Sequence, residues 1–362
     1  MTDFTLPLKR GAALCLTAAL LLTACGAAPS PPETRSHTFF ALDTVVNLSG
    51  YGANTDAALQ QAEQQIRTME ADWSRTLPDS QVSHLNQAHG QPVPADPELI
   101  RILTQAKQLA AATDGAFAIT IAPIADLWGF AGDAFRVPTP DEIAQTLPRT
   151  HIEHLQIGPD TVQLTDGANI DLGGIAKGYA LEQIRTIYEK QALPGGLANL
   201  GGDILAYGSR PDGSPWRIAI RDPDSGAGAS PYLGTLYTEN AYVLTSGSYE
   251  RFFEADGKRY HHILDPKTGC PADSDLVSVT VVTPLEAGAG TAADALATAL
   301  FVMGRDGAEA FWRSGTLPFE MILVDDAAQV WYTDGLAETF LPEKPDHYSY
   351  QLLPHTDAPT NK

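Results

Sequence analysis

Residues 171–180 read DLGGIAKGYA, and this stretch constrains the chain more than any other. Three glycines, Asp171 and Lys177 crowd into eight positions. Leu181, Ile184, Ile187 and Tyr188 then follow at helical spacing, so the chain must turn tightly and enter a helix. Glycines let a backbone approach a ligand closely, and a helix start presents unpaired N–H groups. Two readings stand: an anion-binding turn to which Lys177 adds charge, or a tight strand-to-helix turn with a surface lysine. The stretch is not a Walker A loop, because Lys177 is followed by Gly178 and Tyr179 rather than by a hydroxyl. Nor is it the dinucleotide fingerprint, since Gly173, Gly174 and Gly178 have the wrong spacing.

The first residues read as a leader rather than as part of the fold. Lys9 and Arg10 precede an apolar run from Gly11 to Leu22, too short for a usual membrane span. The run closes on Leu22-Thr23-Ala24-Cys25, the pattern of a bacterial lipobox. Residues 1–24 are therefore expected to be a lipoprotein signal peptide, with cleavage before Cys25 and lipid on its thiol. That expectation carries a localisation with it: exported, and held to a bacterial membrane on its periplasmic or outer face. Residues 25–36, rich in Pro and Ala, read as a tether. Residues 37–345 read as the folded domain and 346–362 as a C-terminal tail.

Of the three cysteines only Cys270 is then left to the folded part. One thiol makes no internal disulfide and no cysteine metal cluster, so an apolar core must hold the domain together. The chain carries a formal charge of −21. Such a surface excludes nucleic acid, and anionic lipid as a partner of the general surface. Any phosphate site must supply its own cations, and a bound metal ion is a natural way to do so.

The pattern mixes strands and helices without regular βαβ alternation, which predicts an α+β fold with mixed sheets and packed helices. Phe39 to Ser49 reads as one strand. Residues 55–73 read as an amphipathic helix with Leu59, Ala62, Ile66, Met69 and Trp73 on one face. Further helices are expected over 80–86, 98–112 and 139–147, after the glycine turn, and over 287–303. Strands are expected near 152–157, 161–165, 216–220, 233–238, 241–246 and 276–282. A hairpin turns at Asp256-Gly257, and 320–324 with 329–332 form a terminal hairpin.

Two further segments carry chemistry. Asp294 and Thr298 lie four residues apart on an apolar helix, so one face can offer a carboxylate and a hydroxyl to one ion. Such hard oxygen donors suit Mg²⁺; a core helix with a capping aspartate is the alternative. His261-His262-Ile-Leu-Asp265-Pro-Lys-Thr-Gly269 delivers two imidazoles to a turn. One can serve as a general base, and adjacent strand residues face opposite ways, so only one enters a given cleft. A structural histidine at a hairpin end is the other reading. Glu250 and Arg251 read as a surface ion pair. No Gly-x-Ser-x-Gly elbow and no His-Glu-x-x-His occurs, which removes the usual support for hydrolase and zinc-protease chemistry.

Taken together the segments resemble the ApbE family of FAD:protein FMN transferases, from about Phe39 to about Val324. They occur in the family's order: Leu42-Asp-Thr, Pro78-Asp-Ser with Asn86, and Gly115-Ala-Phe with Thr120 and Pro123. Leu127-Trp-Gly-Phe, Asp171-Leu-Gly-Gly-Ile-Ala-Lys-Gly, Asn199-Leu-Gly-Gly-Asp and Thr245-Ser-Gly-Ser-Tyr follow. His262-Ile-Leu-Asp-Pro-Lys-Thr-Gly and Ala293-Asp-Ala-Leu-Ala-Thr298 complete the series. The resemblance implies a T-fold-related architecture. It also implies a Mg²⁺-dependent reaction in which FAD is cleaved and AMP leaves. FMN is then joined by a phosphoester bond to a threonine in a flavinylation motif of an exported acceptor flavoprotein. Hydrolysis of FAD to FMN and AMP by the same site, or FAD binding without cleavage, are the alternatives.

By the same resemblance Gly174 (through its carbonyl), Asp294 and Thr298 are the metal ligands. Asp171 and Lys177 contact the flavin nucleotide, and Leu42, Thr76, Ala116, Phe117, Ala118 and Leu264 line the FAD site. His262 is the base. Ala118 departs from the family's pattern by standing where many members carry aspartate, and Thr76 and Ala297 stand where some members carry a tyrosine and an additional carboxylate.

Overall fold

The structure, a computed structural model, describes residues 1–2, 32–132, 134–224 and 231–355. The expected lipidation site Cys25 and most of the leader lie outside the described residues. No helix among the described residues is long and apolar enough to cross a membrane.

The strands in chain order are β1 (Thr34–Ala41), β2 (Thr44–Tyr51), β3 (Val93–Pro94), β4 (Leu155–Ile157), β5 (Thr161–Leu164) and β6 (Gly195–Leu200). They continue with β7 (Asp203–Gly208), β8 (Trp216–Arg221), β9 (Tyr232–Thr238), β10 (Ala241–Gly247), β11 (Phe252–Ala255) and β12 (Lys258–His261). The last are β13 (Leu276–Pro284), β14 (Glu320–Asp325), β15 (Gln329–Thr333), β16 (Phe340–Pro342) and β17 (Ser349–Leu353). The α-helices are α1 (Thr55–Trp73), α2 (Gln81–Asn86), α3 (Pro97–Ala112), α4 (Ala122–Trp128), α5 (Pro140–Thr146), α6 (Ala176–Lys190) and α7 (Ala289–Arg313).

Nine strands form one sheet in the order β1-β2-β6-β7-β10-β13-β14-β15-β17, antiparallel throughout except for the parallel β15–β17 pair. Period-two alternation sorts its side chains between two cores. Val279, Val281, Met321 and Leu323 face the helical side, where α1, α3, α6 and α7 bury the larger core. Val282, Ile322 and Val324 face the opposite side and pack under the small sheet β16-β9-β8. The expected α+β class with mixed sheets is what the chain adopts.

Two expectations change. Phe39 to Ser49 is a hairpin rather than one strand: β1 and β2 pair from Thr34↔Tyr51 to Ala41↔Thr44 around a turn at Leu42-Asp43. Both turn residues have positive φ, 52° and 55°, and the Leu42 N–H donates to Glu70 Oε1 at 2.8 Å, which ties the turn to α1. At the other end, Ser349–Leu353 is not tail but the edge strand of the main sheet, in register with Gln329–Thr333. The hairpin of β14 and β15 is therefore not terminal.

The helix carrying Asp294 is capped from outside. Gly288 stands at its N-terminus with no side chain to offer the first N–H groups. Glu182 of α6 does so instead, buried to 6% exposure. Its Oε1 accepts from Thr291 N–H and Thr291 Oγ1, each at 2.7 Å, and Oε2 accepts from Gly288 N–H at 3.1 Å. A carboxylate at a helix N-terminus also complements the helix dipole. Glu182→Ala leaves those donors buried and unpaired, so it should destabilise the domain by about 2–4 kcal/mol. Denaturant unfolding checks this; an unchanged midpoint would mean that the cap carries no weight.

Candidate active site

α6 and α7 cross backbone to backbone. A Cβ on Gly178 would stand 2.2 Å from the Gly290 carbonyl oxygen and 2.8 Å from Asp294 Cβ, so only glycine allows this approach. The close crossing brings the Gly178 N–H to Asp294 Oδ2 at 2.8 Å. That N–H would ordinarily close the first turn on the Gly174 carbonyl; here it serves the carboxylate, and the Gly174 oxygen is left out of the helical ladder. Gly173 N–H goes to Asp171 Oδ1 at 2.8 Å, and those of Ile175 and Ala176 go to the Leu172 carbonyl. The N–H groups of Gly174 and Lys177 and the carbonyls of Gly173 and Gly174 have no such partner among the described residues, so the helix start leaves carbonyls free as well as N–H groups.

Around this crossing lies a cavity of about 250 Å³. Ala116, Phe117, Ala118, Asp171, Gly174, Lys177, His262, Leu264, Asp294 and Thr298 all line it, so the structure brings ten of the twelve expected catalytic, FAD and metal residues to one wall. A methyl on Gly174 would stand 3.8 Å from Thr298 Oγ1, which places the two expected ligands side by side. Thr298 Oγ1 also shares a 3.2 Å hydrogen bond with Ser246 Oγ of β10. The other two, Leu42 and Thr76, line a second lobe of about 460 Å³. The lobes share Phe130, Asp171, Gly173, Lys177 and Arg251.

Lys177 is no surface lysine. It forms an ion pair with the buried Asp203 at the start of β7, whose other oxygen accepts the Thr245 N–H at 3.0 Å. Burial alone would lower the pKa of its ammonium, but the Asp203, Asp294 and Glu250 carboxylates outweigh that and raise it. Asp294 shows the converse. Burial, reinforced by Asp203, pushes its carboxyl up to about 7 against the pull of Lys177. Glu250 lines the cavity, where desolvation, opposed by Lys177 and reinforced by Asp203, raises its carboxyl to about 7. Three carboxylates thus share one lysine, an arrangement short of positive charge.

Among the described residues no group of three or more His, Cys, Asp or Glu side chains is placed to hold a metal. A cation here must therefore draw on other oxygens. Asp294, the Thr298 hydroxyl and the unpaired Gly174 carbonyl form a hard-oxygen set that fits Mg²⁺ and leaves positions for water and phosphate.

The two histidines separate as alternation requires. His261 turns away to meet the Phe301 ring edge-on at 5.4 Å. His262 lines the cavity. Its backbone N–H and its Nδ1 both approach the Arg251 carbonyl, at 3.0 and 3.1 Å. A carbonyl only accepts, so Nδ1 carries the proton and Nε2 keeps its lone pair. Desolvation, opposed by the Arg251 carbonyl, lowers the pKa of this imidazole to about 4, so it is neutral at physiological pH.

The partners of several charged residues around the cavity escaped the sequence reading. Arg75, with only 15% of its side chain exposed, bridges Asp171 Oδ2 at 3.1 Å and Asp126 Oδ1 at 2.6 Å and so fixes the Asp171 carboxylate. Nothing but its place beside Thr76 hinted at this. Asp203 lay in plain view within Asn199-Leu-Gly-Gly-Asp, without a partner until the strands paired. Glu250 and Arg251 make no ion pair with each other: Glu250 turns to the Lys177 cluster, and Arg251 Nη2 donates to the Gly132 carbonyl at 2.8 Å.

Fold and site together define an α+β protein with a two-lobed cavity built on a glycine helix crossing. Residues 42–323 match the model of the ApbE family, and the chain belongs to that family. It is 39% identical over 269 residues to a FAD:protein FMN transferase of Treponema pallidum (strain Nichols), covering 70% of this chain and 73% of that one. It is 32% identical over 346 residues to a FAD:protein FMN transferase of Salmonella typhimurium, covering 91% and 97%. Among solved structures, the ApbE protein of Thermotoga maritima superposes with a TM-score of 0.79 at 31% identity, covering 85% of this chain and 99% of that one. The flavinyl transferase ApbE of Pseudomonas stutzeri gives 0.76 at 27% identity, covering 87% and 99%.

Proposed function

We propose that this chain is an enzyme, an FAD:protein FMN transferase, the activity for which its relatives are named. It cleaves FAD with Mg²⁺, releases AMP and joins FMN through a phosphoester bond to a threonine of an exported acceptor protein. The observation that carries this reading is the diverted Gly178 N–H, which frees the Gly174 carbonyl beside Thr298 and Asp294 in a cavity with a second lobe. Mg²⁺ held by those three groups would neutralise diphosphate charge as it develops in the transition state. Asp171, fixed by Arg75, and Lys177, fixed by Asp203, hold the nucleotide between the lobes. Nε2 of His262 takes the proton of the incoming threonine hydroxyl. Ala118 and Thr76 stand where, by the family resemblance, many members carry a carboxylate and some a phenol ring. Lipid on Cys25 would hold the enzyme at a membrane.

The soluble domain, incubated with FAD, Mg²⁺ and a protein bearing a flavinylation motif, should yield a target heavier by one FMN together with free AMP. Intact FAD and unmodified target after long incubation would refute the reading; FMN and AMP without an adduct would point to hydrolysis instead.

The metal requirement should depend on pH. A carboxyl raised to about 7 is protonated below that pH, and the proton competes with the cation. The Mg²⁺ concentration giving half-maximal turnover should therefore rise as pH falls below 7, by up to about tenfold per unit, and level off above about 8. Mg²⁺ titrations at several pH values test this, and a flat requirement from pH 6 to 8 would mean that no proton competes with the cation in that range.

A further inference from the structure

The cations along the cavity are not equivalent. Lys177 is matched by Asp203, and Arg75 by Asp171 and Asp126. Arg251 lines both lobes, yet it makes no ion pair with a carboxylate among the described residues. Its guanidinium spends one N–H on the Gly132 carbonyl and lies 5.8 Å from the centre of the Phe135 ring. A guanidinium carries five N–H donors in a planar fork suited to phosphate oxygens, so most of its capacity remains open.

A dinucleotide has its negative charge at the middle, where the diphosphate joins the two halves. In a two-lobed cavity that middle must lie where the lobes meet. Of the five residues common to both lobes, Phe130 and Gly173 carry no charge, Asp171 is an anion, and Lys177 is already claimed by carboxylates. We propose that Arg251 is the counter-charge for the substrate's diphosphate, gripping it at the junction of the lobes. The same residue orients the base, because its carbonyl accepts from His262 Nδ1. Diphosphate and attacking hydroxyl are thus referred to one residue, its side chain holding the first and its main chain aiming the second. The inference rests on FAD as the substrate and adds a specificity: affinity follows the diphosphate rather than the flavin ring.

The experiment compares binding of FAD, ADP and riboflavin, with Mg²⁺ present, to wild type, Arg251→Ala and Arg251→Lys by calorimetry. Melting of the ligand-free variants checks that each is folded. Arg251→Ala should weaken FAD and ADP by about 10- to 100-fold, the range expected when a charged hydrogen bond is lost. Riboflavin should change by less than about twofold, and Arg251→Lys should fall between, since it keeps the charge and loses the fork. Equal loss for riboflavin and FAD, or no loss for FAD, would overturn the proposal while leaving the transferase reading intact. Failure of wild type to bind FAD would overturn both.

Discussion

Asp294→Ala should abolish metal-dependent FMN transfer, with a fall of about a thousandfold or more at saturating FAD. Metal charge on a transferring phosphoryl group supplies several kcal/mol of transition-state stabilisation, and each 1.36 kcal/mol is worth about tenfold in rate. The loss should not come from unfolding. Removing the carboxylate leaves the Gly178 N–H unpaired, but it also relieves a cluster in which Asp203, Asp294 and Glu250 crowd one lysine. Asp294→Asn separates the effects: its amide oxygen can still accept from Gly178 while the charge is gone. Both variants should melt near wild type and fail to turn over. Wild-type-like rates in either, followed by mass spectrometry of the acceptor, would show that the metal lies elsewhere.

The second large effect belongs to His262. Replacing it with glutamine should lower transfer by about a hundred- to ten-thousandfold, the usual span for a positioned acid–base group, while FAD affinity changes little. The geometry sets this split. Nδ1 is committed to the Arg251 carbonyl, which leaves Nε2 of this cavity-lining ring a proton acceptor rather than a donor to the nucleotide. Desolvation that lowers its pKa to about 4 keeps it unprotonated through the neutral range. At saturating Mg²⁺ the acid limb of the pH profile should therefore fall toward 4 rather than lie near 6.5. Equal losses in FAD binding and transfer would make His262 a binding residue.

Much of the fold was legible because its elements carry strong local signals. The α1 face of Leu59, Ala62, Ile66, Met69 and Trp73 is buried as its spacing predicts. The Thr139 and Glu142 capping box closes at the expected place. The hairpin at Leu42-Asp43 was invisible, because its positive-φ turn uses a leucine where Asn-Gly or Asp-Gly would have announced it. Long-range ties to Glu70 and to the sheet impose it instead. Strand β17 was missed for the same reason: only pairing with β15 makes Ser349–Leu353 a strand. The site divides along similar lines. Glycines, the Asp294/Thr298 spacing and the histidine pair showed in one dimension. Arg75, Asp203 and Arg251 matter through partners 96, 26 and 119 positions away, a relation that no local pattern contains.

The first hairpin bears on geography as well as on binding. Its outer strand begins at Thr34, about nine positions after Cys25, and its turn sets Leu42 in the second lobe. If Cys25 carries lipid, that leash reaches at most about 30 Å, and an eight-residue strand adds roughly 26 Å before the turn. The lobe that Leu42 lines would then sit within about 60 Å of the bilayer surface. Acceptors would be chosen partly by height: a threonine on a membrane-bound protein comes within reach, whereas one on a freely diffusing protein must first be brought to that layer.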